Sequence, residues 1–319
     1  MKELSVIIAI YNVATYLEAC LESMLHQDIE GLEVLLVNDG STDNSQEIIN
    51  QYVERYPHIF VGLQKENGGQ SSARNYGLQH CTKSYVTFLD GDDYIEAGGY
   101  ARILEQMQNE HTEIGLFEFV WEYPDGSRES RPALPRELSE FTPETYILSH
   151  PAVCNKIYKT SIWLENHLRF PEGIWYEDLA VAPVLVKYST SFGYYRDEIY
   201  VYRQRPHSTT SQQKYDNRFL DIIEACDIIY ESLKDMHYQD ELEYLMIFQL
   251  CYFSSFRFMK FKKYTELGTC IQSLEARYPN WKQNSYYQKK PKLFRIYCEL
   301  LANKHYAVAS LLEKMKNRK

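Results

Sequence analysis

An α/β fold with a mostly parallel sheet, followed by an all-helical C-terminal domain, is what this 319-residue chain predicts from three observations. Short β-branched runs alternate with amphipathic helical patterns through roughly the first 112 residues, the signature of a sheet with helices on both faces. Each of the four runs ends in a cluster of polar residues. From Asp216 onward the periodicity is helical throughout, with four or five helices and no strand signal.

The first strand is "LSVIIAI" (4–10), a continuous apolar run of the kind buried on both faces. It is too short for a signal peptide, and no small-residue cleavage site follows. "TYLEACLESMLHQ" places Leu17, Leu21, Met24 and Leu25 on one helical face. "LEVLLVND" (32–39) is the second strand. The next helix is expected to open with Asp43 as N-cap and Gln46 completing a capping box. "HIFVGLQ" (58–64) is a third strand, a helix covers about 70–80, and "SYVTFLD" (84–90) is a fourth strand. Beyond residue 113, "IGLFEFVWEY" and "FGYYRDEIYVYRQ" read as strands of a mixed edge, joined through the hairpin-like turn "YPDGSRES", with a helix at 177–188 between them.

Composition narrows the function classes. At 45% apolar residues the chain is globular, and no run approaches a membrane span. Seven scattered cysteines without a C-x-x-C pair suggest packed, reduced thiols in a cytoplasmic protein. The net charge of −10 hides a split. From Arg257 to Lys319 there are 15 Lys/Arg against 4 Asp/Glu, while the preceding 256 residues hold 19 basic and 40 acidic side chains. Two surfaces with different partners follow from that asymmetry.

Ligands of open α/β sheets bind beyond the carboxyl ends of the strands. The polar clusters fall there: Tyr11-Asn12, "NDGSTD" with Asp39, "ENGGQSSARN" with Asn67 and Arg74, and "DGDD" with Asp90, Asp92 and Asp93. Neither G-x-x-x-x-G-K-[ST] nor a G-x-G-x-x-G after the first strand is present, so phosphates would need a metal instead. Asp90 and Asp92, two apart at a strand end, can offer carboxylates to a hard cation such as Mg²⁺ or Mn²⁺ carrying a nucleotide. A solvated acidic turn, with Asp93 as N-cap and Glu96 three residues on, is the alternative. Asp39 can accept from a base N–H, which suits uracil, or simply form an Asp-Gly turn. Arg74 can face a diphosphate, or be a helix-surface arginine.

"SVIIAIYN", "LLVNDGSTDNS", "ENGGQSSARNYGL" and "FLDGDDYI" resemble, in order, the signatures of glycosyltransferase family 2, the inverting GT-A enzymes that use nucleotide-sugar donors and a metal. The match covers roughly residues 4–105, with Ala9 where the family often has proline. The resemblance implies that Tyr11, Asn12, Asn67 and Arg74 line the nucleotide, Asp39 contacts the base, Asp90 the ribose side and Asp92 the metal. "CNKIYKTSIW" and "WYEDLAVAPVL" look like the acceptor-side motifs of this family's polysaccharide and teichoic-acid enzymes. They imply Asp178 as catalytic base, with Asp93, Trp175 and Glu177 on the sugar side. A charged first helical turn is the plainer explanation of Glu177-Asp178. In "RQRPHSTTS", Arg205 and Ser208 would meet the diphosphate and His207 the metal.

The resulting expectation is a GT-A domain over 1–212, with a donor half (1–112) and an acceptor half (113–212), then a helical domain over 213–319. Its cofactor is Mn²⁺ or Mg²⁺, and its partners are a nucleotide sugar and a glycan or lipid-linked acceptor. The aromatic and basic stretch "YFSSFRFMKFKKY" (252–264) is expected either to lie on an anionic membrane at the cytoplasmic face or to be the basic outer face of a bundle. Nucleic acid is not an expected partner, since no such motif is present. Two rival readings are a nucleotidyltransferase, which would want a basic glycine-rich loop where "IYNVATYL" stands, and a catalytically silent glycan-binding or scaffold protein.

Overall fold

A computed structural model describes residues 2–135, 138, 141–205 and 214–316. The chain divides into two compact units, Met1–Gly173 with Val181–Ser211, and Ile174–Ala180 with Gln212–Lys319.

The first unit is built on strands β1 (Glu3–Ile10), β2 (Gly31–Asn38), β3 (Phe60–Gln64), β4 (Tyr85–Asp90), β5 (Tyr94–Ile95), β6 (Ile114–Glu122), β7 (Arg128–Arg131), β8 (Lys156–Lys159) and β9 (Phe192–Arg203). Its sheet order is β3-β2-β1-β4-β8-β6-β9-β5, with β7 paired to β6. Strands β1 to β4 are mutually parallel, whereas β8 runs antiparallel to both β4 and β6. Helices α1 (Ala14–Leu25), α2 (Ser45–Arg55), α3 (Gln70–Leu78) and α4 (Gly99–Glu110) are the crossovers. Leu4, Val6, Ile8 and Ile10 of β1 join Leu17, Cys20, Leu21 and Met24 of α1 in one apolar core. On the other face α3 lies so close that a Cβ at Gly77 would stand 2.5 Å from Ile7. Truncating such a core residue costs about 2–5 kcal/mol.

The parallel half follows the sequence reading to within two residues at most strand ends. The antiparallel half departs from it. The turn after Tyr123 joins β6 to β7, and β9 returns from about 60 residues further on to pair with β6 in parallel, inside the sheet rather than at its edge. Strand β8, inside "CNKIYKTSIW", and the two-residue β5, directly after "DGDD", carry no strand signal of their own. The expected capping box also differs. Asn44 precedes α2, and Asp43 accepts instead from the N–H groups of Ala14 (2.9 Å) and Ser45 (3.0 Å). Gln46 turns away to accept from Asn38 Nδ2 at 2.6 Å.

Two short helices, α5 (Pro143–Ile147) and α6 (Thr160–Leu164), complete this unit's own connections. Helix α7 (Glu177–Val181) continues as a 3₁₀ stretch (Ala182–Lys187), where Pro183 in its first turn has no N–H to extend an α-helix.

The second unit contains α8 (Asp221–Leu233), α9 (Gln239–Met246), α10 (Ser254–Lys260), α11 (Tyr264–Arg277), α12 (Ser285–Lys289), α13 (Lys292–Ala302) and α14 (Tyr306–Lys316). A π-helical stretch, Ile247–Phe253, links α9 to α10. The 252–264 segment is therefore not one continuous interfacial helix. Phe258 is buried, and Lys263 pairs with Glu266 at 3.1 Å, while Phe256 and Tyr264 remain exposed. Leu293, Ile296, Val308 and Leu311 on α13 and α14 add further exposed apolar surface. All seven cysteines are free thiols, and among the described residues no helix is long and apolar enough to cross a membrane.

Candidate active site

The carboxyl ends of β1, β2 and β4, with the segment after β3, bring the first three polar clusters and the aspartates together. Asn12 stands in the left-handed region at φ 54°. Its Oδ1 accepts from the N–H groups of Thr42 (2.8 Å) and Asp43 (3.3 Å), and its own N–H donates to Ser41 Oγ at 3.2 Å. Asn12 thus ties the first loop to the second. Tyr11 beside it is half exposed, at 51%.

Asp39 is buried, and three donors hold its carboxylate. Its Oδ1 accepts from Lys65 Nζ (2.7 Å) and the Gly68 N–H (3.0 Å), and its Oδ2 from the Gly69 N–H (2.7 Å). Asn67 closes the ring by donating through Nδ2 to the Asp39 carbonyl at 2.9 Å. Gly40 permits the approach: its φ is +72°, and a Cβ there would meet the Asn67 N–H at 3.0 Å. Lys65 was not legible as a site residue. Its only sequence signal is a cation placed directly after β3.

Arg74 is neither solvent-exposed nor free to face a ligand unaided. It is 2% exposed, lies over the rings of Phe170 (5.4 Å) and Phe88 (6.0 Å), and pairs with Asp90 Oδ1 at 2.9 Å. Gln70, which the sequence reading passed over, donates to the same oxygen at 2.8 Å. Asp90 is thereby oriented by two side chains of α3.

Asp92 carries the Arg205 guanidinium. Burial, and then the neighbouring Asp90 charge, push its pKa above the usual carboxylate range, with Arg205 acting in the opposite sense. Asp93 is turned inward. Its oxygens accept from Tyr200 Oη (2.6 Å) and the Arg203 N–H (2.9 Å) of β9, and it caps no helix. Burial, and then the charges of Asp92 and Asp90, raise its pKa strongly. Cys20 is shifted upward as well, by burial first and then by these carboxylates. The end of β4 is thus a cluster of three carboxylates against two guanidiniums, Arg74 on Asp90 and Arg205 on Asp92.

Those residues fit a divalent cation of one particular kind. Among the described residues no three His, Cys, Asp or Glu side chains form a self-sufficient cage. A Mg²⁺-like ion needs none when it is held by one or two carboxylates and by substrate phosphates. Asp90 and Asp92, two residues apart at one strand end, are the carboxylates that would supply that share. His207 and Ser208 lie outside the described residues.

Trp175, Glu177 and Asp178 belong to the second unit. Glu177 and Asp178 open α7, preceded by Trp175, whose N–H donates to Asp221 Oδ2 at 2.9 Å.

The fold is of the GT-A class, a nucleotide-type parallel half continued by antiparallel strands. It is similar to S. aureus TarS residues 1–349 in a complex with UDP-GlcNAc, at a TM-score of 0.72 and 22% identity, covering 99% of this chain and 92% of that one. A second likeness is to the mannosyltransferase PcManGT from Pyrobaculum calidifontis with GDP-Man and Mn²⁺, at a TM-score of 0.59 and 15% identity, covering 99% and 88%. At those identities the likeness speaks for fold alone. In sequence, the family description "Glycosyl transferase family 2" matches residues 5–163. The minor teichoic acid biosynthesis protein GgaB of Bacillus subtilis is 32% identical over 219 residues, 66% of this chain and 24% of GgaB. The chain therefore spans about a quarter of that relative's length. The chain belongs to glycosyltransferase family 2.

Proposed function

We propose that this protein is an inverting, metal-dependent glycosyltransferase. It would move a hexose or N-acetylhexosamine from a UDP-linked donor to a hydroxyl of a bacterial cell-surface glycan or lipid-linked acceptor. The observation that carries the reading is the end of β4: Asp90 is oriented by Arg74 and Gln70, while Asp92 stands with a raised pKa at the same strand end. Family membership, the UDP-GlcNAc bound by TarS and the teichoic-acid role in the name of GgaB support donor and acceptor class.

In this reading residues 1–112 serve the donor and 113–212 the acceptor, with 213–319 as a helical domain. Tyr11 and Asn12 line the nucleotide with Asp39, whose donors Lys65, Gly68 and Gly69 hold its carboxylate in place beside Asn67. Asp90, set by Arg74, faces the ribose. Asp92 and His207 would hold Mn²⁺ or Mg²⁺, which when bound would offset charge on the leaving diphosphate. Arg205 and Ser208 serve the same phosphates, Arg205 exchanging Asp92 for them. Asp93 supports the sugar side through β9, and Trp175 and Glu177 shape the sugar pocket. Asp178 takes the proton of the acceptor hydroxyl on the face opposite the leaving group, as inversion requires.

The test is a thermal-shift panel of UDP-GlcNAc, UDP-glucose, UDP-galactose and GDP-mannose with and without Mn²⁺. Saturating a true donor at 100 times Kd stabilises by about 2.7 kcal/mol, a rise of several degrees. A UDP-sugar should give that rise only with metal, EDTA should reverse it, and Asp92→Ala should fold without showing it. No response to any nucleotide sugar would overturn the reading. Release of UDP separates it from a silent glycan-binding protein.

A further inference from the structure

The segment bearing Glu177 and Asp178 is held by the helical unit, and the holding is unusually specific. Trp175 donates its N–H to Asp221 of α8, and its indole lies 4.3 Å from the Arg218 guanidinium and 5.6 Å from the Phe219 ring. Tyr176 stands at φ 68°. That is the left-handed region, which a bulky side chain adopts only where its surroundings enforce it.

Arg257 holds the Tyr176 side chain in that setting. Its Nη1 donates to Tyr176 Oη at 3.0 Å, and the guanidinium lies 5.2 Å from the Tyr176 ring centre. The same guanidinium sits 4.9 Å from Phe219 and 5.7 Å from Phe253, so one planar cation is enclosed by three rings. Arg257 is in α10, directly after the π-helical stretch Ile247–Phe253, whose wider turns alter the direction in which following side chains leave the helix. The constrained tyrosine then begins the next element: its carbonyl accepts from the Ala180 N–H at 2.9 Å, closing the turn on which Glu177 and Asp178 lie.

We propose that Arg257 and Tyr176 are positioning residues for the Glu177-Asp178 turn. This rests on the reading of Asp178 as base. The aromatic enclosure selects arginine over lysine, because a guanidinium stacks and donates in a fixed direction where an ammonium does neither. Arg257, counted by charge alone among the basic residues of the tail, is thereby engaged by Tyr176 and its neighbouring rings within the unit.

The experiment compares wild type with Tyr176→Phe, which removes one hydroxyl and keeps the ring, and with Arg257→Lys. The first readout is UDP release from UDP-GlcNAc with Mn²⁺ and water as acceptor. The second is hydrogen exchange of the 174–180 amides, which needs no turnover. Each variant is expected to lower kcat about tenfold, the scale of losing one charge-assisted hydrogen bond, with donor KM and Tm unchanged. Exchange should accelerate in 174–180 and not in β1–β4. In an Asp178→Asn background the same substitutions should lower kcat no further. Wild-type exchange in 174–180 in both variants overturns the proposal. So does a loss of kcat that comes with a matching fall in Tm or rise in KM, which would mark a merely structural role. Full turnover by Asp178→Asn would instead overturn the base assignment while leaving the exchange result to decide whether Arg257 orders the turn.

Discussion

The strand ends of the first unit and the helical second unit fix their polar groups by different means. At β1, β2 and β4, carboxylates and amides are held by backbone N–H groups and by one another: Gly68 and Gly69 on Asp39, Thr42 and Asp43 on Asn12. In the helical unit two arginines pack on rings, Arg257 on three and Arg218 on that of Trp175. Helices have no spare N–H groups along their length, so a polar side chain there must find an aromatic face or another side chain. The contrast separates a region where carboxylates and amides cluster at strand ends from one where arginines stack on rings within the unit.

Three measurements would break or sharpen that contrast. The largest expected effect is that of Asp178→Asn, nearly isosteric but unable to accept the acceptor's proton. Its kcat should fall about 10²–10⁴-fold with UDP affinity almost unchanged, measured by UDP release and by thermal shift. An equal loss of UDP binding would move Asp178 into the donor pocket and dissolve the division of labour.

A smaller effect tests the negative potential. A carboxyl whose folded-state pKa is raised prefers to be protonated in the fold. Ionising Asp92 therefore costs stability at pH values above its folded pKa, and that cost vanishes as pH falls below the ordinary value of 3.8. Without metal, Asp92→Asn should melt above wild type at pH 7.5, the gap closing as pH approaches 4. With UDP-sugar and Mn²⁺ the order should reverse. Equal melting at pH 7.5 would mean that Arg205 already offsets the whole penalty.

The smallest effect concerns the surface of the second unit. Lys260 and Lys262 with the exposed Phe256, and Leu293, Ile296, Val308 and Leu311, suit weak attachment to an anionic bilayer. Each basic residue near such a surface contributes about 1 kcal/mol. Liposome flotation should recover more wild type with anionic than neutral lipid, less at high salt, and less after charge reversal of Lys260, Lys262 and Lys263. Equal recovery with both lipids would reserve the basic face for a polymer or partner.

What the sequence by itself determined is local. Continuous apolar runs marked β1, β2 and β4 because a strand buried on both faces has little polar alternation, whereas β3, the exposed sheet edge, was marked by a short β-branched run, and the four clusters followed because they are turns written in adjacent residues. The order of those motifs was enough to indicate the family. What only the tertiary structure decided lies in long-range partners. Asp93 faces inward because Tyr200 and Arg203 reach it from more than 100 positions away. Asn75, unremarked in the sequence, holds the chain at Phe170 by exchanging hydrogen bonds of 2.9 and 2.8 Å with its carbonyl and N–H. Arg74 is buried because Phe170 and Phe88 enclose it. Strands β5 and β8 exist because β9, β4 and β6 offer them ladder partners, which no periodicity of two or four residues can announce. Likewise Trp175, Tyr176 and the Glu177-Asp178 turn group with the helical unit through Asp221 and Arg257, residues whose charges acquire meaning only once α8 and α10 have packed.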